Sequence, residues 1–281
     1  MSANADSYRQ RSLAERIARA IPSGGALAPI RRRLKPLFER WLAGTGGGLK
    51  SVLPGGEVVM AVPAFRHISW NPDEYAAFRA AVRPGAVILE AGANVGAYTV
   101  LFAQWTGAAG RVFAFEPDPV AFDGLQLHVA LNQVGDRVTS LQAAVSDRDG
   151  QLQFASFESS GISRLASSAD AESATIRDVR ATSIDGFCAG EGVTPTVIKI
   201  DVEGAELAAL RGARDTIARA GSHLQLFVEM HPQLWPGLGI TADDLRAECD
   251  AQGLAAEHLD GSRENVWETV GVCVRLRPTR V

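Results

Sequence analysis

The sequence predicts an α/β protein built on a doubly wound, mostly parallel sheet, and three observations carry that expectation. From residue 86 onward, short apolar runs alternate with helical stretches, the order that lays parallel strands side by side with helices on both faces. The run Val87-Ile88-Leu89 ends in Glu90 and passes through Gly92 and Gly96 into a helical pattern, the form of a buried strand turning tightly into a helix. Finally, Glu90, Glu116, Asp147, Asp201 and Glu229 each lie at or just after the C-terminal end of an apolar run. That edge is where open α/β sheets bind ligands. Adjacent like charges repel, so such a row is hard to explain by stability.

The 281 residues suffice for one large domain with a small extension, and 46% hydrophobic against 21% charged residues is the balance of a soluble globular chain. The most apolar window, 86–103, is interrupted by Glu90, Asn94 and two glycines, which excludes a membrane span. The N-terminus is polar, without the continuous apolar core of a secretory signal. Cys188, Cys249 and Cys273 are scattered, with no histidine at metal spacing, so a reducing, cytoplasmic setting is expected. Charge is uneven. Residues 1–50 hold ten Lys/Arg against three Asp/Glu, a balance of +7 that leaves −11 on the rest of a chain whose total is −4. An acidic body argues against nucleic acid as the substrate. The basic leader points to a packed helical cover, a homo-oligomer contact or a membrane-surface contact.

Taken in order, residues 8–21 read as a helix with Leu13, Ile17 and Ala20 on one side, broken by Pro22-Ser23-Gly24-Gly25. A second amphipathic segment spans 29–43, with Pro36 inside it, and Gly46-Gly47-Gly48 forms a joint. Residues 49–53 and 58–62 pair as strands around Pro54-Gly55-Gly56, and Asn71-Pro72 opens a helix to about Val82. Strands follow at 87–90, 111–115, 138–142, 150–155, 175–183, 196–200, 224–228, 254–259 and 270–276, with helices over 96–106, 119–131, after Glu206 and over 241–252. Serine, alanine and glycine dominate a loop over 157–173. The expected organisation is a basic helical extension over 1–48, lead-in strands and a helix over 49–85, and a ligand-binding domain over 86–281.

The turn after the first core strand has the spacing Gly-x-x-x-Gly, with Glu90 where a dinucleotide fingerprint has its first glycine. A carboxylate there repels a pyrophosphate and tolerates a cation. Glu116, 24 residues beyond Gly92, fits the residue that binds ribose hydroxyls at the end of a second strand. An acidic pocket with a ribose site and no phosphate cradle favours the sulfonium of S-adenosylmethionine over NAD.

Several stretches resemble one family. Glu90-x-Gly92-x-Asn94-x-Gly96, Phe115-Glu116-Pro117, Ile198-Lys199-Ile200-Asp201-Val202-Glu203-Gly204-Ala205-Glu206 and Glu229-x-His231-Pro232 are similar to the FkbM family of S-adenosylmethionine-dependent methyltransferases, over roughly 86–235. Glu90 stands where that family commonly has Asp, which keeps the carboxylate on a longer arm. The resemblance implies the Rossmann-like fold of class I methyltransferases. It implies that Gly92 and Gly96 pass the methionine part of the cofactor with Asn94 nearby, and that Glu116 takes the ribose. Asp147 would meet the adenine edge, and Asp201 and Glu203 would sit under the transferring methyl, beside the acceptor.

The function expected is methyl transfer to oxygen, on a hydroxyl of a sugar, a glycan or a glycosylated or polyketide-type product. Cofactor binding is expected at Glu90, Gly92, Asn94, Gly96, Glu116, Asp147 and Asp201, and catalysis at His231, Asp201 and Glu229. The alternatives are an NAD-dependent oxidoreductase and a non-catalytic partner protein of the same fold. A hydroxyl is a weak acid, so its proton needs an acceptor. His231 is the preferred base, a near-neutral imidazole oriented by a carboxylate. The alternative is a divalent metal such as Mg, held by Asp201, Glu229 and His231. It is not favoured, because imidazole is a poor magnesium ligand.

Overall fold

The computed structural model describes residues 48–62, 65, 68–156, 163–165 and 174–279, and the backbone at 9–10. The helices expected over 8–21 and 29–43, and most of loop 157–173, fall outside the described residues, with two exceptions. Arg9–Gln10 (β1) is a strand, not a helix start, and pairs antiparallel with Leu49–Val52 (β2). Inside the loop, Ser163–Leu165 (β9) is a strand.

β2 turns at Pro54-Gly55-Gly56 into Val58–Ala61 (β3), as expected. Asn71 accepts from the Asp73 and Glu74 amides, and proline fills the first turn of the helix Pro72–Ala81 (α1). Glu57 ties hairpin to helices: it accepts from Tyr75 Oη at 2.6 Å and from Trp105 Nε1 at 2.7 Å.

The central sheet has seven strands. Val87–Ala91 (β4) and Arg111–Phe115 (β5) are joined through the helix Ala97–Thr106 (α2), and the helix Pro119–Leu131 (α3) leads on to Val138–Leu141 (β6). On the other side of β4 lie Val197–Ile200 (β11) and Gln225–Met230 (β12), all parallel. Val272–Pro278 (β14) and Leu254–His258 (β13) complete it antiparallel, in the order β13-β14-β12-β11-β4-β5-β6. Within this sheet the chain starts in β4, an inner strand, winds outward to β6, then crosses back to β11 on the other side of β4. That reversal places a crevice at the C-terminal ends of β4 and β11.

Each strand sends alternate residues to opposite faces, which is why its apolar run is nearly continuous. Ile88, Val112, Ala114 and Phe227 join Phe78, Phe102 and Leu125 on one face. Leu89, Phe113, Ile198, Ile200, Leu226 and Val228 meet the helices Glu206–Arg211 (α5), Arg214–Ala220 (α6) and Ala242–Ala251 (α7) on the other. Each fully buried aliphatic or aromatic side chain contributes about 1.5–3 kcal/mol.

The structure departs from the expected single sheet. Ala144–Ser146 (β7), Gly150–Ser156 (β8), β9 and Thr175–Ser183 (β10) form their own four-stranded sheet, β7-β10-β8-β9. The helix Ile184–Glu191 (α4) follows it, begun by a Ser183 cap. Gly212 locks this unit to the core. A Cβ there would stand 2.0 Å from the Ser146 carbonyl oxygen, and the Gly212 carbonyl accepts from the Asp185 amide at 2.7 Å. Gly190, in α4, has open space around it. Gly212→Ala therefore lowers the thermal midpoint by at least about 5 °C in a melting experiment. Gly190→Ala leaves it unchanged or raises it, because alanine is the better helix former. Equal midpoints for the two variants would contradict this account of the junction.

Candidate active site

The turn after β4 is shaped by backbone geometry. Gly92 has φ +81° and Gly96 φ +84°, where a side chain is strained. At Gly92 the reason is also contact: a Cβ would fall 1.7 Å from the Asp201 carbonyl oxygen, so the ends of β4 and β11 touch there. Asn94, at φ +49°, takes the left-handed region without being glycine, which asparagine tolerates best. Gly92 and Ala93 both donate to the Phe115 carbonyl at 2.9 Å, folding the turn over the end of β5.

Glu116, just past β5, accepts from the Asn94 amide at 2.8 Å on Oε2 and from the Asp118 amide at 2.8 Å on Oε1. It is buried, and burial outweighs those bonds to push its carboxyl up to about 7. Asp118 caps α3 and accepts from Ser156 Oγ at 2.6 Å, which brings the second sheet to this rim.

Glu90 is fully buried and accepts from Thr99 Oγ1 at 2.5 Å. Burial again raises it to about 7, against the pull of Lys199. Lys199 pairs with Glu90 in the parallel register of β11 and β4. It is 4% exposed, and its Nζ meets Asp201 Oδ2 at 2.8 Å and lies 5.8 Å from the Tyr98 ring centre. Burial opposes its charge, but Asp201 and Glu90 overcome this and raise its proton affinity. Asp201 is the mirror case. Burial works to raise it, and the Lys199 ammonium wins, holding the carboxyl below its ordinary value.

The turn after β11 carries strain: Glu203 has φ +48° and Gly204 φ +101°. It delivers Glu206 to the first turn of α5, fully buried, where Oε1 accepts from the Gly204 amide at 2.9 Å and Oε2 from Trp235 Nε1 at 2.7 Å. Oε1 also meets His231 Nδ1 at 2.8 Å, so the ring nitrogen facing Glu206 carries the proton.

His231 follows β12 and is 4% exposed. Its Nε2 looks onto Glu203 Oε2 at 3.5 Å, Glu229 Oε1 at 3.6 Å and Asp201 Oδ1 at 3.9 Å. The near-neutral imidazole expected from the sequence is corrected here. Burial disfavours its charge, but the bond to Glu206 and the surrounding carboxylates raise it to about 9. Glu229, half-buried beside Asp201, is pushed up to about 7 by desolvation and by that neighbouring charge.

Of the residues expected at the site, Glu90, Gly92, Asn94, Gly96, Glu116, Asp201, Glu229 and His231 lie along the C-terminal edge of β4, β5, β11 and β12. Asp147 does not share that placement. It follows β7 in the second sheet, is exposed and stands 3.8 Å from Arg148, because the chain leaves the central sheet at Leu141. Lys199 and Glu206 received no role from the sequence reading. The signal was there: a lysine inside Val-Ile-Lys-Ile must find a buried partner.

A family model described as the methyltransferase FkbM domain matches residues 90–253. Methyltransferase sdnD of Sordaria araneosa is 28% identical over 187 residues, 65% of this chain and 62% of that protein. The 31-O-demethyl-FK506 methyltransferase FkbM of Streptomyces tacrolimicus is 42% identical over 69 residues, 25% of each chain. Hexuronic acid methyltransferase AglP of Haloferax volcanii is 26% identical over 152 residues, 53% of this chain and 58% of that protein. The chain thus spans less than two thirds of the length of each of these relatives. The crystal structure of methyltransferase FkbM from Methylobacillus flagellatus is similar with a TM-score of 0.44 at 18% identity, covering 73% of this chain and 50% of that one. With more than half of its length matched by the family model, the chain belongs to the FkbM family of S-adenosylmethionine-dependent methyltransferases.

Proposed function

We propose that this chain transfers a methyl group from S-adenosylmethionine to a hydroxyl oxygen of a sugar, a glycan or a glycosylated or polyketide-type product. The observation that carries the reading is the acidic edge itself, where four parallel strands end in carboxylates and those of the β11–β12 side surround one imidazole. S-adenosylmethionine supplies an electrophilic methyl on a cationic sulfur, and that charge favours the ionised form of Glu90 and Glu116 beside the already ionised Asp201. The residues of the chain divide the remaining work. Gly92, Asn94 and Gly96 let the backbone pass close to the cofactor, and Glu116 has lone pairs left for two ribose hydroxyls. Asp201, Glu229 and His231 stand on the acceptor side, where the protonated His231 orients the hydroxyl and a neighbouring carboxylate receives its proton. Glu206 is a positioning residue, holding the ring through Nδ1. The oxygen acceptor draws support from one relative, whose name specifies a 31-O position, and the sugar class from another, whose name specifies a hexuronic acid.

Cofactor binding is measured by calorimetry with S-adenosylhomocysteine. Glu116→Gln keeps shape and removes the charge, and it weakens binding about 10–100-fold, the worth of a charge-assisted bond. NAD gives no heat. Binding of NAD, or unchanged affinity in the variant, would remove Glu116 from the cofactor site.

Transfer is followed with methyl-labelled S-adenosylmethionine on a panel of hexuronic acids, glycosides and macrolide-type alcohols. The expected product is a methyl ether, which keeps its label in alkali. Label released as methanol would identify a methyl ester and overturn the hydroxyl assignment. On an accepted substrate, His231→Ala lowers kcat by about 10²–10⁴, while S-adenosylhomocysteine affinity stays within about threefold. A loss confined to cofactor affinity would move His231 to the other half of the site.

A further inference from the structure

The acceptor half of the site has a feature that proton transfer alone does not require. His231 Nδ1 is committed to a fully buried carboxylate, and Glu206 in turn is fixed by the Gly204 amide and the Trp235 indole. With Nδ1 committed to Glu206, the other ring nitrogen, Nε2, points into a group of carboxylate oxygens, where a cation would take the place of its proton. The three separations, 3.5, 3.6 and 3.9 Å, are all longer than a normal hydrogen bond. One ligand atom each from Asp201, Glu229 and His231 lies within 4.8 Å of the others. Donors about 2.1 Å from a common cation are separated by roughly 3–4 Å, and the 3.6 and 3.9 Å from Nε2 to Glu229 and Asp201 fall in that range.

The oxygens of Asp201 are divided accordingly. Oδ2 takes the Lys199 ammonium at 2.8 Å, whereas Oδ1 is the atom turned toward His231. A carboxylate that orients a histidine from behind while the other ring nitrogen faces acidic oxygens is the usual second layer of a metal site.

We propose that Asp201, Glu229 and His231 bind one divalent cation through Oδ1, Oε1 and Nε2, with Glu206 orienting the histidine. One nitrogen and two oxygens suit Mn2+ better than Mg2+, since imidazole is a weak ligand for the harder ion. The structure thus reverses the order of preference reached from the sequence, because the buried Glu206 was not part of that reading. The ion's role rests on the transferase reading above: bound by these three side chains it would supply Lewis acidity to the acceptor hydroxyl, and the Glu203 carboxylate, 3.5 Å from Nε2, would take the proton in their place. Its binding is measured without any acceptor.

The full chain, free of S-adenosylmethionine, is titrated with Mn2+ and free ion is read by electron paramagnetic resonance. The expected result is one saturable Mn2+ per chain, displaced only by a large excess of Mg2+. Glu229→Gln and His231→Gln each weaken it at least tenfold, and Asp243→Asn, at an exposed carboxylate of α7 outside the site, binds Mn2+ as the parent does. Each variant is first shown to bind S-adenosylhomocysteine or to melt as the parent does, which separates a lost ligand from a lost fold. Absence of saturable Mn2+ binding below about millimolar, a few kcal/mol of affinity, overturns the proposal. Saturable binding that survives both substitutions overturns it as well, since the ion then sits elsewhere. If S-adenosylhomocysteine binds and Mn2+ does not, the transferase reading stands and the metal is lost. If Mn2+ binds by this pattern and S-adenosylhomocysteine does not, the metal stands and the cofactor assignment fails.

Discussion

Lys199 stands in a strand that is otherwise Val-Ile-x-Ile, in the middle of the sheet, with all four residues buried. A lone ammonium in that position would lose far more in desolvation than the strand gains by burial. It is stable because the fold surrounds it with opposite charge. Asp201 lies two residues along, on the same face of the strand, and Glu90 lies beside it in register on β4. The dependence also runs the other way. Two carboxylates so close and so dry cannot both stay ionised without a cation between them. Leaving either partner alone costs about 3–5 kcal/mol, the usual penalty for an orphaned buried charge. One buried amine thus permits an acidic crevice to exist at the centre of an apolar sheet.

The central fold was readable because its signals are local. β5, α3 and β10 occupy the residues expected for them, and α1 starts at the expected Asn71-Pro72 cap. Each is bounded by a turn residue or cap whose chemistry acts over a few positions. The second sheet was not readable as such. β8 and β10 show runs of exposed residues with burial confined to their inner ends, and β7 is three residues long. Such segments show strand character without saying which strands they pair with. The break between α5 and α6 was missed for a similar reason: Gly212 and Ala213 interrupt a helical pattern because Gly212 must meet the Ser146 carbonyl, a contact between distant parts of the chain.

At the site the same division holds. Position at a strand end placed Glu90, Glu116, Asp201 and Glu229 correctly, since a parallel sheet delivers every such residue to one edge. The same rule misplaced Asp147, because it treats each apolar run as a member of one sheet. Glu206 escaped notice because its partners, His231 and Trp235, are 25 and 29 residues away in sequence. An acidic residue in the first turn of a helix is ordinarily a surface group favoured by the helix dipole. Only the fold shows that this one is fully buried.

These contacts give the edge two halves that meet at Asp201. The Gly92 turn and Glu116 belong to β4 and β5, and Glu229, His231 and Glu206 to the β11–β12 side. Asp201 is shared through its backbone as well as its side chain. Its amide donates to the Ala91 carbonyl at 2.9 Å, and its own carbonyl lies over Gly92, where a Cβ would stand 1.7 Å away. A shift of the cofactor turn therefore moves the residue that faces His231. In the proposed reaction the methyl donor and the acceptor oxygen must be held in line to within a fraction of an ångström. A fold that fastens both halves to one residue supplies that alignment through backbone contact. The left-handed strain at Asn94 and Glu203, one in each half, is the cost of bringing the two turns so close.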